Sequence, residues 1–156
     1  MRPMKVLFLK IMDIRKRVPA DNPVLVEIWL RSVRATHTFL CEQDIEDLYP
    51  QVRDTYLPGV DVWVCEDADG DITGFIGMHE AQIEMLFVDP ERFGQGVGTR
   101  LLDHARKLHA NLTVDVNEQN PRAHAFYRRY GFEDVGRSAT DSAGRPFPLV
   151  HMKLRY

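Results

Sequence analysis

The sequence lacks the features that mark membrane-spanning, extracellular and nucleic-acid-binding proteins. No apolar run approaches the ~20 residues needed to cross a bilayer, so we predict no transmembrane helix. The two cysteines, Cys41 and Cys65, have no metal-ligand spacing, which favours reduced thiols of a cytoplasmic protein and predicts no metal site. The formal net charge of −3 disfavours nucleic acid as an obligatory partner, because phosphate binding usually needs a basic surface.

What the sequence does contain is typical of one compact globular domain over residues 1–156. Of its 156 residues, 44% are hydrophobic and 28% charged, and no repeat, low-complexity tract or linker divides it. A short apolar run, Val6 to Leu9, faintly resembles a signal peptide, but Lys10 interrupts it and no cleavage site follows. We therefore expect residues 1–11 to be a flexible or mis-started extension, with Met12 as an alternative start.

Hydrophobic periodicity predicts the order of helices and strands in the first half of the chain. A strand is expected near residues 13–18, and Asp21 or Asn22 can cap the helix that follows. A second helix is expected over residues 43–56, although Pro50 should bend or split it. Three strands follow, over residues 62–65, 72–78 and 83–88, the first two joined by a hairpin turn at Asp69-Gly70-Asp71.

The second half of the chain predicts two helices and three further strands. One helix should follow a glycine-rich turn, with an apolar face formed by Val97, Leu101, Ala105 and Leu108. The other has clear boundaries, because Asn120 can cap it, Pro121 suits its first turn and Gly131 suits the position past its end. Strands are expected over residues 112–116, 132–136 and 150–154. This order predicts an α+β or mixed α/β domain.

The glycine-rich turn that follows the strand ending at Val88 has the properties of a phosphate site. Amides at the start of a helix lack partners within the helix, and the helix dipole favours an anion there. Glycines let the backbone approach a phosphate closely, and Thr99 adds a hydroxyl donor in the first turn. A glycine cluster is also typical of a plain helix-entry turn. The segment has neither the Lys-Ser/Thr of a P-loop nor the glycine spacing of a dinucleotide-binding fold.

Two segments resemble the GNAT superfamily of acyl-CoA N-acyltransferases. The residues Phe93-Gly94-Gln95-Gly96-Val97-Gly98 occupy the place of that family's pyrophosphate motif, which runs Arg/Gln, two residues, Gly, one residue, Gly/Ala. The stretch from Asn117 to Phe132 resembles the family's Asn-x-x-Asn…Phe-Tyr-x-x-x-Gly-Phe segment. The resemblance implies an α/β fold with a mixed, mostly antiparallel sheet of six to seven strands, splayed at its centre and flanked by about four helices.

Three further stretches are similar to the small bacterial YjaB-like acetyltransferases within that superfamily, namely residues 35–40, 116–120 and 136–149. This similarity implies an enzyme that transfers an acetyl group from acetyl-CoA to a primary amine, either a protein lysine or a small molecule. Whether the chain forms a homodimer is left open. Two alternatives are a catalytically silent acyl-CoA sensor, which the presence of Tyr127 disfavours, and an aminoacyl-tRNA-acetylating toxin, which the acidic net charge disfavours.

Phe93 departs from the family pattern, because the resemblance places an arginine or glutamine there. One side-chain contact to the pyrophosphate is therefore expected to be missing. Coenzyme A should still bind through the turn's amides, with lower affinity, and Arg92 is the neighbouring residue that would compensate. The cofactor-binding residues expected in this turn are Phe93, Gly94, Gln95, Gly96, Val97, Gly98 and Thr99.

The resemblance also implies where the pantetheine arm and the acceptor lie. Leu86, Phe87 and Val88 should pair with the arm through their backbone, where their strand splays from the one that contains Val114. Asn117 is a candidate donor to the same arm, and Asn120 is a candidate cofactor contact, although helix capping already accounts for it. Candidate residues lining the acceptor pocket are His37, Phe39 and His79, with Trp29 and Trp63 more simply explained by core packing.

Acetyl transfer to an amine needs an acid for the leaving thiolate, and Tyr127 is the candidate. A phenol has an unperturbed pKa near ~10, so it carries its proton at neutral pH. The resemblance places this tyrosine beside the thioester sulfur. Without the resemblance, Phe126, Tyr127 and Tyr130 would be read as an aromatic helix face that packs in the core.

The amine must also be neutral to attack, and Glu84 is the candidate base, directly or through water. Its strand neighbours are apolar, so burial among them would disfavour its charged form and make it a stronger base. A half-exposed strand glutamate without a catalytic role is the alternative. His37 and His79 are competing bases, because histidine titrates near neutrality.

Overall fold

The computed structural model describes residues 12–155, so the expectation for residues 1–11 lies outside the described residues. A seven-stranded sheet with the order β1-β2-β3-β4-β5-β7-β6 runs through this part of the chain. Its pairings are antiparallel except for the parallel pair β4–β5. The strands are β1 (Asp13–Lys16), β2 (Asp61–Glu66), β3 (Ile72–His79), β4 (Gln82–Val88), β5 (Thr113–Asn117), β6 (Phe132–Ser138) and β7 (Leu149–Leu154).

Four α-helices flank the sheet: α1 (Asn22–Thr36), α2 (Glu42–Gln51), α3 (Val97–Leu108) and α4 (Pro121–Tyr130). Short 3₁₀ turns lie at Pro19–Asp21 and Pro90–Arg92, and a π-helical segment at Val52–Tyr56. Within residues 12–155, none of the helices combines the length and the apolar character needed to cross a membrane. The predicted fold class, a mixed α/β sheet of about seven strands with four helices, is therefore confirmed.

Each face of the sheet buries its own hydrophobic core. Helices α3 and α4 cover one face, where their apolar residues pack against Ile76, Val114 and Met152. Helices α1 and α2 cover the other face over β2, β3 and β4, where Leu25 and Phe75 are fully buried. The strands alternate between the two cores, as the period of two of a sheet buried on both faces requires.

The parallel pair β4–β5 stays together only at its start. Gln82 lies opposite Thr113 and Ile83 opposite Val114, and no later residues of the two strands pair. The strands then diverge, so the backbone of β4 beyond Ile83 has a partner only in β3. The sheet is therefore splayed at its centre, as the family resemblance implied.

A β-bulge sits at the point of divergence. Gly77 of β3 lies opposite Met85 while Met78 lies opposite Ile83, which leaves Glu84 as the extra residue of β4. The bulge shifts the alternation of side chains along β4 by one position. Ile83 packs in the α3–α4 core, whereas Met85, two residues later, packs in the α1–α2 core. Bulges of this kind turn a side chain out of the regular alternation, and here that side chain is Glu84.

The helix boundaries confirm some of the predicted signals and correct others. Asn120 caps α4, since its side-chain oxygen accepts a hydrogen bond of 3.2 Å from the Ala123 amide, and Gly131 ends the helix with a φ of 124°. Asp21 precedes α1 but does not cap it, because its carboxylate accepts instead from the Val18 amide and from Arg15. Pro50 does not split α2; the chain continues into π-helical turns from Val52 onward.

Replacing Gly74 by alanine is expected to destabilise the fold by about 2 kcal/mol, the typical cost of overpacking a dense core. A Cβ there would lie 2.8 Å from Val97 Cγ1 and 2.9 Å from the Phe87 carbonyl oxygen. The carbonyl belongs to the β4 backbone, so it cannot move aside without disturbing the sheet. Denaturant unfolding should show the loss as a lower midpoint.

The matched control for that substitution is Gly136→Ala in β6. The atom nearest to a Cβ at Gly136 is His151 Cδ2 at 3.4 Å, an ordinary contact with a side chain. A similar loss of stability in the two variants would contradict the steric argument for Gly74.

Candidate active site

A cavity of about 540 Å³ opens where β4 and β5 diverge. It brings together most of the residues predicted from the sequence, namely His37, Glu84, Leu86, Phe87, Val88, Phe93, Gly94, Gly96, Val97, Gly98, Thr99, Asn117, Asn120 and Tyr127. Gln95, Phe39 and His79 do not line it. The start of α3 lies at one end of the cavity, the diverging strands form its wall, and α4 and the end of α1 complete it.

The glycine turn gives this cavity an unobstructed helix start. Gly94 and Gly96 have φ values of 77° and 82°, and a Cβ built on either would have no atom within 4 Å. Glycine is needed there for the left-handed backbone, and the absence of side chains leaves the surface open. Gly96 precedes α3, and no side chain caps the helix. The amides of the first turn are therefore free to bind an anion.

Three arginines, Arg92, Arg122 and Arg129, line the cavity, and they differ in what they contact. Arg92 forms an ion pair with Asp67 at 2.7 Å, so it is engaged by the β2–β3 hairpin turn rather than by the glycine turn. Arg122 lies over the Phe93 ring, with its guanidinium carbon 5.4 Å from the ring centroid, and it lines the cavity. Arg129 lines the cavity from the same face of α4. Arg122 is therefore a second candidate to compensate for Phe93, beside Arg92, which also lines the cavity.

Tyr127 combines burial with an unpartnered hydroxyl. It is 6% exposed and its ring packs against Phe126 and Phe132 at centroid distances of 5.2 and 5.3 Å. Among residues 12–155, its hydroxyl makes no hydrogen bond, and the residue lines the cavity. Burial raises the pKa of the phenol well above its ordinary value, so the proton stays on the oxygen at neutral pH.

Glu84 lines the same cavity but is exposed. Burial among its apolar neighbours, one of the two alternatives that the sequence left open, is therefore not what the structure has. The physical reason is the bulge, which places Glu84 outside the regular alternation, so that Ile83 and Met85 enter the two cores and Glu84 enters neither.

His37 ends α1 at the cavity, and its hydrogen bonds define which nitrogen is free. Thr36 Oγ1 lies 2.8 Å from the Ser32 carbonyl oxygen and 2.8 Å from His37 Nδ1. Because the hydroxyl has one proton and donates it to the carbonyl, it accepts from Nδ1–H. Nε2 then carries the lone pair. Burial lowers the pKa of His37 to about 4, so the ring is neutral at pH 7.

The two other candidate acceptor residues lie apart from the cavity. Phe39 packs between His37 and Phe147, at ring distances of 5.3 and 5.6 Å, and so supports the His37 ring from behind. His79 is exposed at the end of β3, opposite Gln82, because the short β3–β4 hairpin turn points away from the splayed part of the strands. Trp29 is buried in the α1–α2 core, and Trp63 packs against His104 and the α3–α4 core.

Sequence reasoning missed several cavity residues, namely Ser32, Thr36, Asp115, Arg122 and Phe126. Arg122, Phe126 and Arg129 are spaced by four and three residues, which puts them on one face of α4, so this set could have been found from helical periodicity. Asp115 alternates with the buried Val114 and Val116, so the sequence predicts that its side chain lies on the other face of β5. No sequence signal places it beside β4, because that pairing joins distant segments.

Comparison with known proteins agrees with this geometry. A family model described as "Acetyltransferase (GNAT) domain" matches residues 58–134. The peptidyl-lysine N-acetyltransferase YjaB of Salmonella typhimurium is 39% identical over 90% of this chain and 96% of its own length. The peptidyl-lysine N-acetyltransferase YiaC of Escherichia coli is 31% identical over 85% of this chain and 91% of its own.

A solved structure shows the same architecture. The solution structure of the apo form of YjaB from Escherichia coli superposes with a TM-score of 0.87 at 37% identity, and covers 93% of this chain and 98% of that one. Together, the splayed sheet, the glycine turn and these relatives show that the chain belongs to the GNAT family of N-acetyltransferases.

Proposed function

We propose that the chain transfers the acetyl group of acetyl-CoA to the side-chain amine of a lysine in a protein. The observation that carries this proposal is the composition of one cavity. It joins an uncapped helix start, a pair of diverging strands and an unpartnered tyrosine hydroxyl. These are the parts that hold a pyrophosphate, an extended pantetheine arm and a leaving thiolate.

The residues around the cavity fit acetyl-CoA along its length. The amides at the start of α3 would hold the pyrophosphate, with Arg122 and Arg129 as nearby cations. The backbone of Leu86, Phe87 and Val88 has no β5 partner, so its polar groups are available to pair with the amides of the pantetheine arm. Asn117 at the end of β5 lines the opposite wall and supports the same arm.

Tyr127 supplies the acid step in this proposal. The amine nitrogen attacks the thioester carbonyl carbon, a C–N bond forms, and the C–S bond breaks with its electron pair on sulfur. The Tyr127 hydroxyl donates a proton to that sulfur as it leaves. A buried phenol keeps its proton until then, because burial disfavours the phenolate.

Glu84 is the base that the geometry favours over His37. Burial disfavours the protonated form of His37, so its ring is a poor proton acceptor in this cavity. Glu84 is exposed at the cavity and can pass a proton on to bulk solvent. The free Nε2 of His37 instead serves as a neutral hydrogen-bond acceptor that orients the attacking amine.

The acceptor class rests on the relatives. YjaB and YiaC are peptidyl-lysine N-acetyltransferases, and this chain covers more than nine-tenths of each. A small-molecule amine is the alternative acceptor, and a silent acyl-CoA sensor is the alternative without catalysis.

An acceptor screen with acetyl-CoA, read by release of free thiol, tests the proposal. Thiol release that depends on a lysine-containing protein or peptide supports it. Release with small amines alone assigns the metabolite class instead. Saturable binding of acetyl-CoA with no thiol release in the presence of any amine would contradict the transferase proposal and would support the acyl-CoA sensor instead.

Replacing Arg122 with alanine is expected to weaken coenzyme A binding by about tenfold, because a charged group that bonds a phosphate is lost. Isothermal titration measures the affinity directly. Arg128→Ala is the matched control on the same helix, since Arg128 pairs with Asp134 at 2.5 Å outside the cavity. A larger loss of coenzyme A affinity in Arg128→Ala than in Arg122→Ala would contradict the phosphate contact proposed for Arg122.

A further inference from the structure

Two carboxylates follow the last paired residues of β4 and β5, at the point where the strands diverge. The last paired residues of the two parallel strands are Ile83 and Val114, so Glu84 and Asp115 are the next residue on each strand. Ile83 and Val114 are both buried in the α3–α4 core, and the alternation of β5 turns Asp115 toward the opposite, open face of the sheet. Glu84 and Asp115 are exposed and line the cavity.

Asp115 is held in place by a chain of hydrogen bonds across the sheet. Its Oδ1 accepts from His151 Nδ1 at 2.5 Å, on the neighbouring strand β7. His151 Nε2 lies 2.6 Å from Ser138 Oγ on β6. A carboxylate fixed through one oxygen keeps the other for a ligand, and among residues 12–155 the Oδ2 of Asp115 has no partner.

The order aspartate, histidine, serine is that of a hydrolase triad, but the position of the serine excludes that chemistry here. Ser138 and His151 do not line the cavity, and Ser138 lies two strands away from Asp115. The serine oxygen therefore cannot attack a thioester held between β4 and β5. The chain of hydrogen bonds acts on Asp115, which is its only member at the cavity.

Tyr127 shows that this part of the cavity is built for a ligand. The side chain is more than nine-tenths buried, yet within the described chain its hydroxyl has no hydrogen-bond partner and it lines the cavity that Glu84 and Asp115 also line. A hydroxyl that lines a cavity and has no protein partner is available to hydrogen-bond a ligand there. The two carboxylates and this hydroxyl therefore line one ligand cavity, in which the phenol serves the leaving sulfur and the carboxylates are available to the amine.

We propose that Glu84 and Asp115 form a carboxylate pair that binds the ammonium group of the acceptor before it loses its proton, with His151 as the residue that positions Asp115. This inference rests on the proposed function and adds how the acceptor is recognised. The pair selects a cationic amine over a neutral side chain of the same shape. A second cation, such as that of a neighbouring lysine or arginine, is not required.

Nuclear magnetic resonance titration of the protein saturated with coenzyme A tests the pair without turnover. The probes are a blocked Gly-Ala-Lys-Ala-Gly peptide and its analogue with norleucine in place of lysine. Wild-type protein is expected to bind the lysine peptide about tenfold or more tightly than the norleucine peptide, the range for bonds to charged groups. Asp115→Asn and Glu84→Gln should each remove most of that preference.

Positioning by His151 has its own readout. His151→Phe, which keeps the ring shape and removes the donor, should reduce the preference about threefold, and His151→Gln should restore it by donating to Asp115. Glu133→Gln is the matched control, because Glu133 is an exposed carboxylate on β6 outside the cavity. Unchanged affinity of every variant for coenzyme A shows that each is folded.

The outcomes separate this inference from the proposed function. Equal binding of the two peptides by wild-type protein, or an undiminished preference in Asp115→Asn, overturns the carboxylate pair. Thiol release measured with the same lysine peptide reports on the transferase independently. Thiol release by Asp115→Asn with an unchanged KM for the peptide would contradict the carboxylate pair and leave the transferase proposal standing. An Asp115-dependent preference with no release from any amine would defeat the transferase alone.

Discussion

Tyr127→Phe is expected to lower kcat by about 10²-fold or more, the usual contribution of a positioned general acid, and to leave the affinity for coenzyme A nearly unchanged. The substitution removes only the hydroxyl, because a phenylalanine ring can keep the contacts with Phe126 and Phe132. Without that proton donor, the thiolate leaves unprotonated into a buried environment, where its charge is costly. Steady-state thiol release gives kcat, and isothermal titration gives the affinity.

Tyr130→Phe is the matched control for this substitution. Tyr130 lies on the same helix, but its hydroxyl donates to Asp103 at 2.6 Å and it does not line the cavity. Its loss should leave kcat within about twofold, since a surface hydrogen bond affects stability more than chemistry. Full activity in Tyr127→Phe would remove Tyr127 from the mechanism. Equal losses in both variants would indicate a general effect of α4 packing rather than a proton donor.

Charged residues of both signs line the cavity. Arg122 lies over the Phe93 ring of the glycine turn and Arg129 lines the cavity from α4, whereas Glu84 and Asp115 follow the last β4–β5 pair. Phosphates and a cationic amine are each drawn to the opposite charge. Tyr127 reaches the same cavity from α4. In the proposed function, the arginines would therefore attract the phosphates of the donor, and the carboxylates would attract the amine of the acceptor.

Local signals in the sequence were enough to place the phosphate end of the site. The glycine turn, the Asn120 cap and the Gly131 terminus are all set by neighbours within a few residues, and the structure has each of them. The succession of helices and strands along the chain could also be predicted, because the periodicity of apolar residues is local. These features do not depend on how distant parts of the chain meet.

Features that join distant segments could not be predicted. The bulge that exposes Glu84 depends on the register between β3 and β4, so its apolar neighbours in sequence could not decide between burial and exposure. Arg92 is the neighbour of Phe93 in sequence and pairs with Asp67 across 25 residues, and Arg122 from α4 lies over the Phe93 ring. Partner choice among charged side chains is a property of the folded chain, because these pairs form only after the sheet and helices have packed.

The largest expected effect on stability concerns His37 below neutral pH. Its pKa is lowered from 6.5 to about 4 by burial, so the unfolded chain binds this proton more readily than the folded one. The contribution of the neutral His37 ring to the free energy of unfolding is fully present above about pH 6.5. It is lost progressively as the pH falls toward 4. A shift of that size corresponds to about 3 kcal/mol.

His37→Asn removes the titrating ring and keeps a donor toward Thr36, so its unfolding free energy should lack this part of the acid sensitivity. Urea unfolding at about pH 7.5 and about pH 4.5 gives the difference between wild type and variant at each pH, and that difference should move by about 2–3 kcal/mol in favour of the variant at the lower pH. His79→Asn removes an exposed histidine instead and serves as the matched control. A parallel decline of wild type and His37→Asn between these two pH values would show that the buried ring does not set the acid sensitivity.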